Sequence, residues 1–257
     1  MNKGLQIIPK SLDGIDAILP FAALVTVLTI PLWIVSAHFA AIAPGLPLAA
    51  AAVVCPGLAA WIVTRLTRGQ GGVLAWWQHA RAAFAGSFGS SLLAAALPIG
   101  VAAVSLLFTR KAEQQVHMSA AVLLAFIPLT LIGAWLEEAG WSAFAGERLL
   151  KVWPLLPAAL LVGLLWALWH VIPLLQVGRS VEWILWWALG TVCMRVVMLW
   201  LYVRGGHRIN GPLLFHAADN VCWQASLSFG MIFDPRVHAL LMGAVVAALW
   251  AFRAVKN

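Results

Sequence analysis

The chain has 257 residues, of which 63% are hydrophobic and 10% are charged, and its mean hydropathy is +0.94. Soluble domains carry about a quarter charged residues, so this composition excludes an ordinary soluble domain and indicates a polytopic membrane protein. The formal net charge of +7 would fit a nucleic-acid partner, but its distribution along the chain favours membrane topology and contact with anionic lipid.

The first 117 residues are predicted to form an N-terminal membrane scaffold of about three spans. The opening segment MNKGLQIIPKSLDG is too polar for a secretory signal peptide, so the first apolar segment is expected to stay as a span. Residues 17–64 carry no charge and are long enough for two spans, with a turn at the Pro and Gly residues of 44–47. The third span is expected within 82–109.

An interfacial helix is predicted between the second and third spans. Trp76, Trp77, Ala80 and Phe84 can share one helix face, which leaves Arg81 to face lipid head groups. The alternative is a surface helix that merely connects two spans.

Residues 118–225 are predicted to form the core of the site, and 226–257 a final span and a tail, all within one integral membrane unit. The fourth span is expected to continue past its acidic pair to an inner end near Leu150. Further spans are predicted within 152–178, 183–203 and 212–233. The fold class predicted is therefore all-α, a transmembrane bundle of about eight spans.

The positive charges predict how the chain is oriented. With the N-terminus inside and eight spans, eleven cationic residues fall on the inner side: Lys3, Lys10, Arg65, Arg68, Arg81, Arg148, Lys151, Arg204, Arg208, Arg253 and Lys256. Four fall on the outer side: Arg110, Lys111, Arg179 and Arg236. The positive-inside rule therefore places both termini in the cytoplasm, with the chain in the cell membrane.

Ionisable side chains within the predicted spans are concentrated in the C-terminal half. They are Glu137, Glu138, His170, Arg195, His216 and Asp219, with the amide of Asn220 beside them. Such groups are costly inside a membrane, so their grouping indicates a functional site. Three cysteines with no metal-site spacing, Cys55, Cys193 and Cys222, are expected to be buried thiols.

Helical spacing indicates how these side chains are arranged. Two pairs lie four residues apart and so share a helix face: Trp166 with His170, and His216 with Asn220. Glu137 and Glu138 point about 100° apart, so one is expected to face a cavity and the other to bond a neighbouring helix.

Depth along the helices gives a second constraint. Glu137 and His170 are expected at similar depth in antiparallel spans. His216 is expected closer to the inner end, unless its helix starts earlier or tilts.

This set of side chains suits hydrolysis. A carboxylate beside a neutral imidazole can position and deprotonate a water, while His and Asn can donate to a developing oxyanion. The same groups could hold Zn²⁺ with one open position. No HExxH sequence is present, which excludes a conventional zinc-protease helix.

Three motifs on three predicted spans, EEAGW at 137–141, WALWH at 166–170 and HAADN at 216–220, occur in this order. Together they resemble the CPBP family, which comprises the type II CAAX prenyl endopeptidases and bacteriocin-processing or immunity-type relatives. The family pattern is EExxxR, FxxxH and HxxxN, and the resemblance covers about residues 120–221. Two positions depart from it: Trp166 replaces Phe, and Ser142 replaces Arg. Arg148 and Arg195 are candidates to replace the missing cation.

The resemblance implies a role for each motif residue. Glu137 would be the general base that activates water, assisted by His170, while Glu138 and Trp166 would support it. His216 and Asn220 would stabilise the oxyanion. A metal, if bound, would be zinc on Glu137, His170 and His216. A metal-independent reaction is favoured, because Asn is a poor zinc ligand and adjacent glutamates cannot easily face one ion.

Three functional readings follow. The first is an intramembrane endopeptidase that acts on short membrane peptides or on the tails of membrane proteins, with its cavity reached from the cytoplasm or laterally from lipid. The second is a non-catalytic immunity or scaffold protein that binds a membrane partner. The third is a proton-coupled carrier that uses Glu137, Asp219 and His216 as a relay. None involves nucleic acid.

Overall fold

The computed structural model describes residues 14–39, 48–81, 88–109, 120–228 and 232–254. Every regular element in these ranges is helical, which confirms the all-α prediction. The α-helices are α1 (Ile18–His38), α2 (Val54–Arg81), α3 (Phe88–Ser105), α4 (Ala120–Gly140), α5 (Glu147–Leu150), α6 (Leu155–Trp169), α7 (Val171–Gln176), α8 (Val181–Arg204), α9 (Asn210–Ser228) and α10 (Pro235–Ala254). Short 3₁₀ segments, Ile15–Ala17 and Leu48–Val53, precede α1 and α2.

Within the described ranges, four helical segments are long and apolar enough to cross a membrane. They are Ile15–His38, Leu48–Ala80, Leu155–Gln176 and Val181–Arg204. The chain is therefore a multi-pass membrane protein, as its composition predicts. The count of about eight spans and the cytoplasmic position of the termini remain predictions.

The fourth span is one continuous rod that changes its winding halfway. α4 passes directly into a π-helical turn, Trp141–Gly146, and then into α5, which ends at Leu150 as expected. Single π turns inside α-helices are frequently found at functional sites. The carbonyl of Ala139, just before this turn, accepts a hydrogen bond from the indole of Trp76 at 3.3 Å. This bond ties the second half of α2 to the rod that carries the acidic pair.

Glycines allow this rod to lie close against α2. A Cβ added at Gly140 would lie 2.5 Å from the backbone of Pro56, and one at Gly57 would lie 2.9 Å from the carbonyl oxygen of Leu136. Small residues at helix crossings let backbones approach closely in membrane proteins. A side chain larger than glycine at position 57 or 140 would therefore not fit. The helix that carries the acidic pair thus packs closely against α2.

The predicted interfacial segment follows a sharp kink in α2. Gly69 has a φ of 65°, a conformation that glycine adopts without steric cost. Beyond it, Trp76 is half-buried, Ala80 is buried and Trp77 is exposed. Phe84 and the side chain of Arg81 lie outside what the structure describes, so the interfacial position of this segment remains a prediction.

Aromatic side chains fill the end of the bundle near α5. The ring of Phe21 in α1 stacks on Phe144 at 4.9 Å and meets the edge of Trp141 at 5.3 Å. All three rings are buried. The space between the π turn and α1 is therefore closed by packing. Among the cysteines, Cys55 is buried as expected, whereas Cys193 and Cys222 are half-buried.

Candidate active site

Glu138 lies at the centre of a buried polar cluster and is itself fully buried. Arg195 of α8 donates to it in bidentate fashion, from Nη1 to Oε2 at 2.6 Å and from Nη2 to Oε1 at 3.1 Å. The hydroxyl of Ser142 also donates to Oε2, and Nδ1 of His216 lies 3.1 Å from Oε1. Each carboxylate oxygen of Glu138 therefore has two hydrogen-bond partners, and these bonds fix the carboxylate in place.

Arg195 fills the place of the missing motif cation. Its side chain is fully buried, its Nη1 lies 3.3 Å from the Ser142 hydroxyl, and its guanidinium stacks on the ring of Trp166 at 4.1 Å. Of the two candidate replacements, Arg148 instead lies over the Phe144 ring at 3.6 Å. The cation that serves Glu138 is thus supplied by another helix.

Glu137 has a different environment, although it is the next residue along the chain. The indole Nε1–H of Trp166 donates to its Oε2 at 2.9 Å. The carboxylate is almost fully buried, but it lines a cavity. The structure therefore bears out the expectation that one glutamate faces a cavity while the other bonds a neighbouring helix.

His170 lies at the break between α6 and α7. Pro173 has no N–H to donate to the carbonyl four residues earlier, at Trp169, which explains why the helix is interrupted here. Nδ1 of His170 lies 2.8 Å from the carbonyl oxygen of Trp166. Because a carbonyl can only accept, Nδ1 carries the hydrogen, and in the neutral ring Nε2 presents a lone pair.

The two residues predicted as oxyanion donors have different positions. The side chain of Asn220 lines the cavity. His216 is 3% exposed, bonds Glu138 through Nδ1 and packs edge-on against Trp166 at 5.0 Å. It was expected at shallower depth because α9 begins at Asn210, yet it reaches Glu138 directly. Any donation from His216 to an oxyanion would have to come from Nε2.

The cavity that reaches Glu137 and His170 has a volume of about 690 Å³. Its walls come from the middle and C-terminal part of α4, the 3₁₀ segment before α2, α7 and the C-terminal parts of α1 and α9. Along α4 the lining runs from Phe126 to Glu137, which corresponds to about 16 Å of helical rise. The two candidate catalytic side chains thus lie at the inner end of a deep, mostly apolar cleft.

The described residues do not form a zinc site. No group of three His, Cys, Asp or Glu side chains in the described ranges is placed to hold a metal ion. In the predicted set of Glu137, His170 and His216, Nδ1 of His216 is bonded to Glu138 and its ring packs edge-on against Trp166. Within the described ranges these three side chains are not grouped as metal ligands.

Asp219 belongs to a separate pair. Its Oδ1 lies 3.1 Å from Nε2 of His238 on α10, and both side chains are buried. This pair joins α9 to α10 beside Asn220. The carrier reading placed Asp219 in a relay with Glu137 and His216, but its partner in the structure is His238.

Comparison with known proteins bears on the middle of the chain. Residues 119–222, which hold all three motifs, match the family model described as type II CAAX prenyl endopeptidase Rce1-like. The resemblance to the CPBP family is confirmed. The chain is also similar to CAAX prenyl protease 2 of Methanococcus maripaludis, with 29% identity over 108 residues. The aligned part covers 37% of this chain and 40% of the length of that relative.

Two functional contacts were missed by sequence reasoning. Trp166 was expected only to support the site. Its indole N–H donates a hydrogen bond to Glu137, and its ring packs against the guanidinium of Arg195. Ser142 was treated as a loss, yet its hydroxyl bonds Glu138. Its four-residue spacing from Glu138 on one helix face was the available signal.

Proposed function

We propose that this protein is an intramembrane endopeptidase in which Glu137 activates water for attack on a peptide bond. The observation that carries the proposal is the contrast within the acidic pair. Glu138 is saturated by Arg195, Ser142 and His216, whereas Glu137 has one described hydrogen bond and faces a cavity beside His170. The CPBP relationship supports the same reaction class.

In the proposed reaction, the Trp166 indole fixes Oε2 of Glu137 and leaves Oε1 to accept a proton from water. Nε2 of His170 accepts a second hydrogen bond from that water and orients it. The water oxygen attacks the carbonyl carbon of the substrate as its proton passes to Glu137. The carbonyl oxygen becomes an oxyanion, to which the amide N–H of Asn220 donates.

The tetrahedral intermediate then collapses. The carbon–nitrogen bond breaks, and Glu137 returns its proton to the leaving nitrogen. The products are a new carboxyl terminus and a new amino terminus. A scissile bond within a regular helix is shielded by its own hydrogen bonds, so the substrate must be extended where it is cut.

The competing reading is a non-catalytic CPBP-like immunity or scaffold protein. It was favoured by the absence of an Arg at position 142. Arg195 supplies a cation to Glu138 from α8, so that departure from the motif no longer argues for an inactive site.

The test compares protein termini in membranes that contain the wild-type chain or Glu137→Gln at matched levels. We expect new termini with the wild type and their loss with the variant, since removing a general base costs about 10²–10⁴-fold in rate. Glu182→Gln makes the same chemical change at an exposed position and serves as the matched control.

Identical termini in all three samples, with the variants folded, would contradict the proposal. If a biological phenotype of the protein also survived in Glu137→Gln, the binding reading would replace the enzyme reading.

A further inference from the structure

The imidazole of His170 is surrounded by indole rings. The ring of Trp169 lies nearest, with its centroid 4.7 Å away and its plane nearly perpendicular at 78°. The ring of Trp187 on α8 lies at 5.1 Å and that of Trp166 at 5.7 Å. Since Nδ1 of His170 is bonded to the Trp166 carbonyl, the direction in which Nε2 points depends on where these three rings lie.

The nearest of these rings is fixed by a helix from the other half of the chain. The indole Nε1–H of Trp169 donates to Oγ1 of Thr29 on α1 at 2.9 Å. The Thr29 hydroxyl donates its own hydrogen to the carbonyl of Val25 at 2.7 Å, so its oxygen accepts the bond from the indole. Both side chains are buried, and a hydrogen bond is electrostatically stronger in such surroundings than in water. The bond therefore holds the Trp169 ring in position.

A second bond joins α1 to the segment after His170. The side-chain amide of Gln176, the last residue of α7, donates to the carbonyl of Trp33 at 2.8 Å. Trp33 lies four residues after Thr29, which corresponds to about 6 Å of helical rise along α1. The two bonds reach Trp169 and Gln176, which lie before and after the break between α6 and α7. The interrupted segment that carries His170 is thus supported by α1 on both sides of the break.

We propose that Thr29 and Trp169 are positioning residues for the peptidase reaction. The Thr29 hydroxyl fixes the Trp169 ring, and that ring fixes the direction of Nε2 of His170. This inference rests on the proposed function. It gives α1, which lies outside the residues that match the family model, a part in the site. The N-terminal region predicted from the sequence as scaffold then contributes to the chemistry.

The step that this arrangement serves is the orientation of water. In the proposed reaction, Nε2 of His170 accepts a hydrogen bond from the water that Glu137 deprotonates. Such a bond weakens steeply when its angle departs from linearity, so a small rotation of the imidazole lowers the rate. Thr29 is not part of the wall of the described cavity, where the substrate would bind. Loss of its hydroxyl is therefore expected to lower kcat and to leave KM unchanged.

The test uses conservative changes at Thr29 in the full-length protein. Thr29→Val keeps the branched shape of the side chain and removes the acceptor for Trp169, whereas Thr29→Ser keeps the hydroxyl. Thr26→Val is the matched control on the same helix. The Thr26 hydroxyl also donates to the carbonyl four residues earlier, at 3.0 Å, but this side chain is exposed. Cleavage rates are measured on a substrate found by comparing termini.

We expect Thr29→Val to lower kcat about tenfold with KM unchanged, because a buried indole N–H loses its acceptor. Thr29→Ser and Thr26→Val should cleave at close to the wild-type rate. In a Trp169→Phe background, which has no indole N–H, Thr29→Val should have no further effect.

Three results would overturn the proposal. The first is a wild-type kcat in Thr29→Val. The second is an equal loss in Thr29→Ser or in Thr26→Val, because the effect would then not depend on the hydroxyl that Trp169 bonds. The third is an equal loss in the Trp169→Phe background, because Thr29 would then act by another route.

A second readout needs no substrate and observes His170 directly. The protein is labelled with ¹³C at Cε1 of its seven histidines and compared by NMR in detergent. The His170 signal is identified by its absence from His170→Gln. Indole rings near this imidazole shift the signal of its proton, so we expect the signal to move in Thr29→Val and to stay in place in Thr29→Ser and Thr26→Val. A lowered kcat with an unmoved His170 signal would overturn the proposal, since Thr29 would not act through His170.

The two readouts separate this inference from the proposed function. If the wild-type protein produces no termini that depend on Glu137, but the His170 signal moves in Thr29→Val, the peptidase function fails and the positioning of His170 by α1 stands. If the termini form while Thr29→Val matches the wild type in kcat and in the His170 signal, the positioning fails and the function stands.

Discussion

The polar cluster around Glu138 and the inner end of the cavity around Glu137 are adjacent in sequence but opposite in character. In the first region, both carboxylate oxygens are bonded to buried partners from α8, α9 and the π turn. In the second, an indole N–H holds one carboxylate oxygen at the wall of a cavity. A single helical step of about 100° separates the two regions.

This difference shows how a membrane protein can use two acids without two equivalent sites. A buried charge must be paired and hydrogen-bonded, which explains the four hydrogen bonds to Glu138. Arg195 offsets the free-energy cost of burying the Glu138 charge. Its guanidinium also stacks on the ring of Trp166, and the indole N–H of Trp166 donates to Glu137. The cluster therefore supports the neighbouring acid through one shared side chain.

The largest effect is expected from Arg195→Ala, which breaks the first region. It leaves Glu138 buried beside Ser142 and His216 without a permanent cation, and losing one partner of a buried pair costs about 3–5 kcal/mol. Thermal unfolding in detergent measures the loss.

Arg204→Ala is the matched control for this change, because Arg204 lies on the same helix but is exposed. It should change the free energy of unfolding by less than about 0.5 kcal/mol. Equal stability of both variants would mean that the Glu138 cluster does not hold the fold.

A smaller effect is expected when the cation is moved rather than removed. Ser142→Arg combined with Arg195→Ser places the Arg where the CPBP motif has it, on the helix of Glu138. We expect this double variant to be more stable than Arg195→Ser alone by about 2 kcal/mol, since a buried carboxylate regains its pair. Unfolding of the two variants and of Ser142→Arg alone measures this coupling.

Ser142→Arg alone should be destabilised, because it adds a second cation beside Arg195. If the double variant were no more stable than Arg195→Ser, the two positions would not be interchangeable partners of Glu138.

The smallest effect is expected from Trp166→Phe, which sharpens the comparison at the cavity. Phenylalanine keeps an aromatic ring for Arg195 and His216, and it is the residue of the family pattern, but it cannot donate to Glu137. Loss of one hydrogen bond to a charged group should lower the cleavage rate about tenfold with little change in stability. Rate measurements on a substrate found by comparing termini test this, and an unchanged rate would remove Trp166 from the positioning of Glu137.

Part of this site could be predicted from spacing. Consecutive positions on a helix predicted different surroundings for Glu137 and Glu138, whereas the joining of three motifs into one site was implied by the resemblance to the CPBP family. The continuation of the fourth span to Leu150 was also correct. These features depend on the helical repeat, which the sequence encodes locally.

The remaining features depend on contacts between helices. The choice of Arg195 over Arg148 depends on the rotation of α8 against α4, and the contact of His216 with Glu138 depends on how α9 is placed. The π turn after Gly140 had no local signal in apolar residues. The position of the cavity depends on how the helices around it pack, and spacing along one helix does not contain that information.

The most direct test of the account compares Glu137→Gln and Glu138→Gln as purified proteins in detergent, by thermal unfolding. It needs no substrate. Glu138→Gln should lose several kcal/mol because Arg195 is left buried without a counter-charge, whereas Glu137→Gln should unfold close to the wild-type temperature. Equal destabilisation of both variants, or a larger loss in Glu137→Gln, would contradict the division of the pair into one structural and one reactive carboxylate.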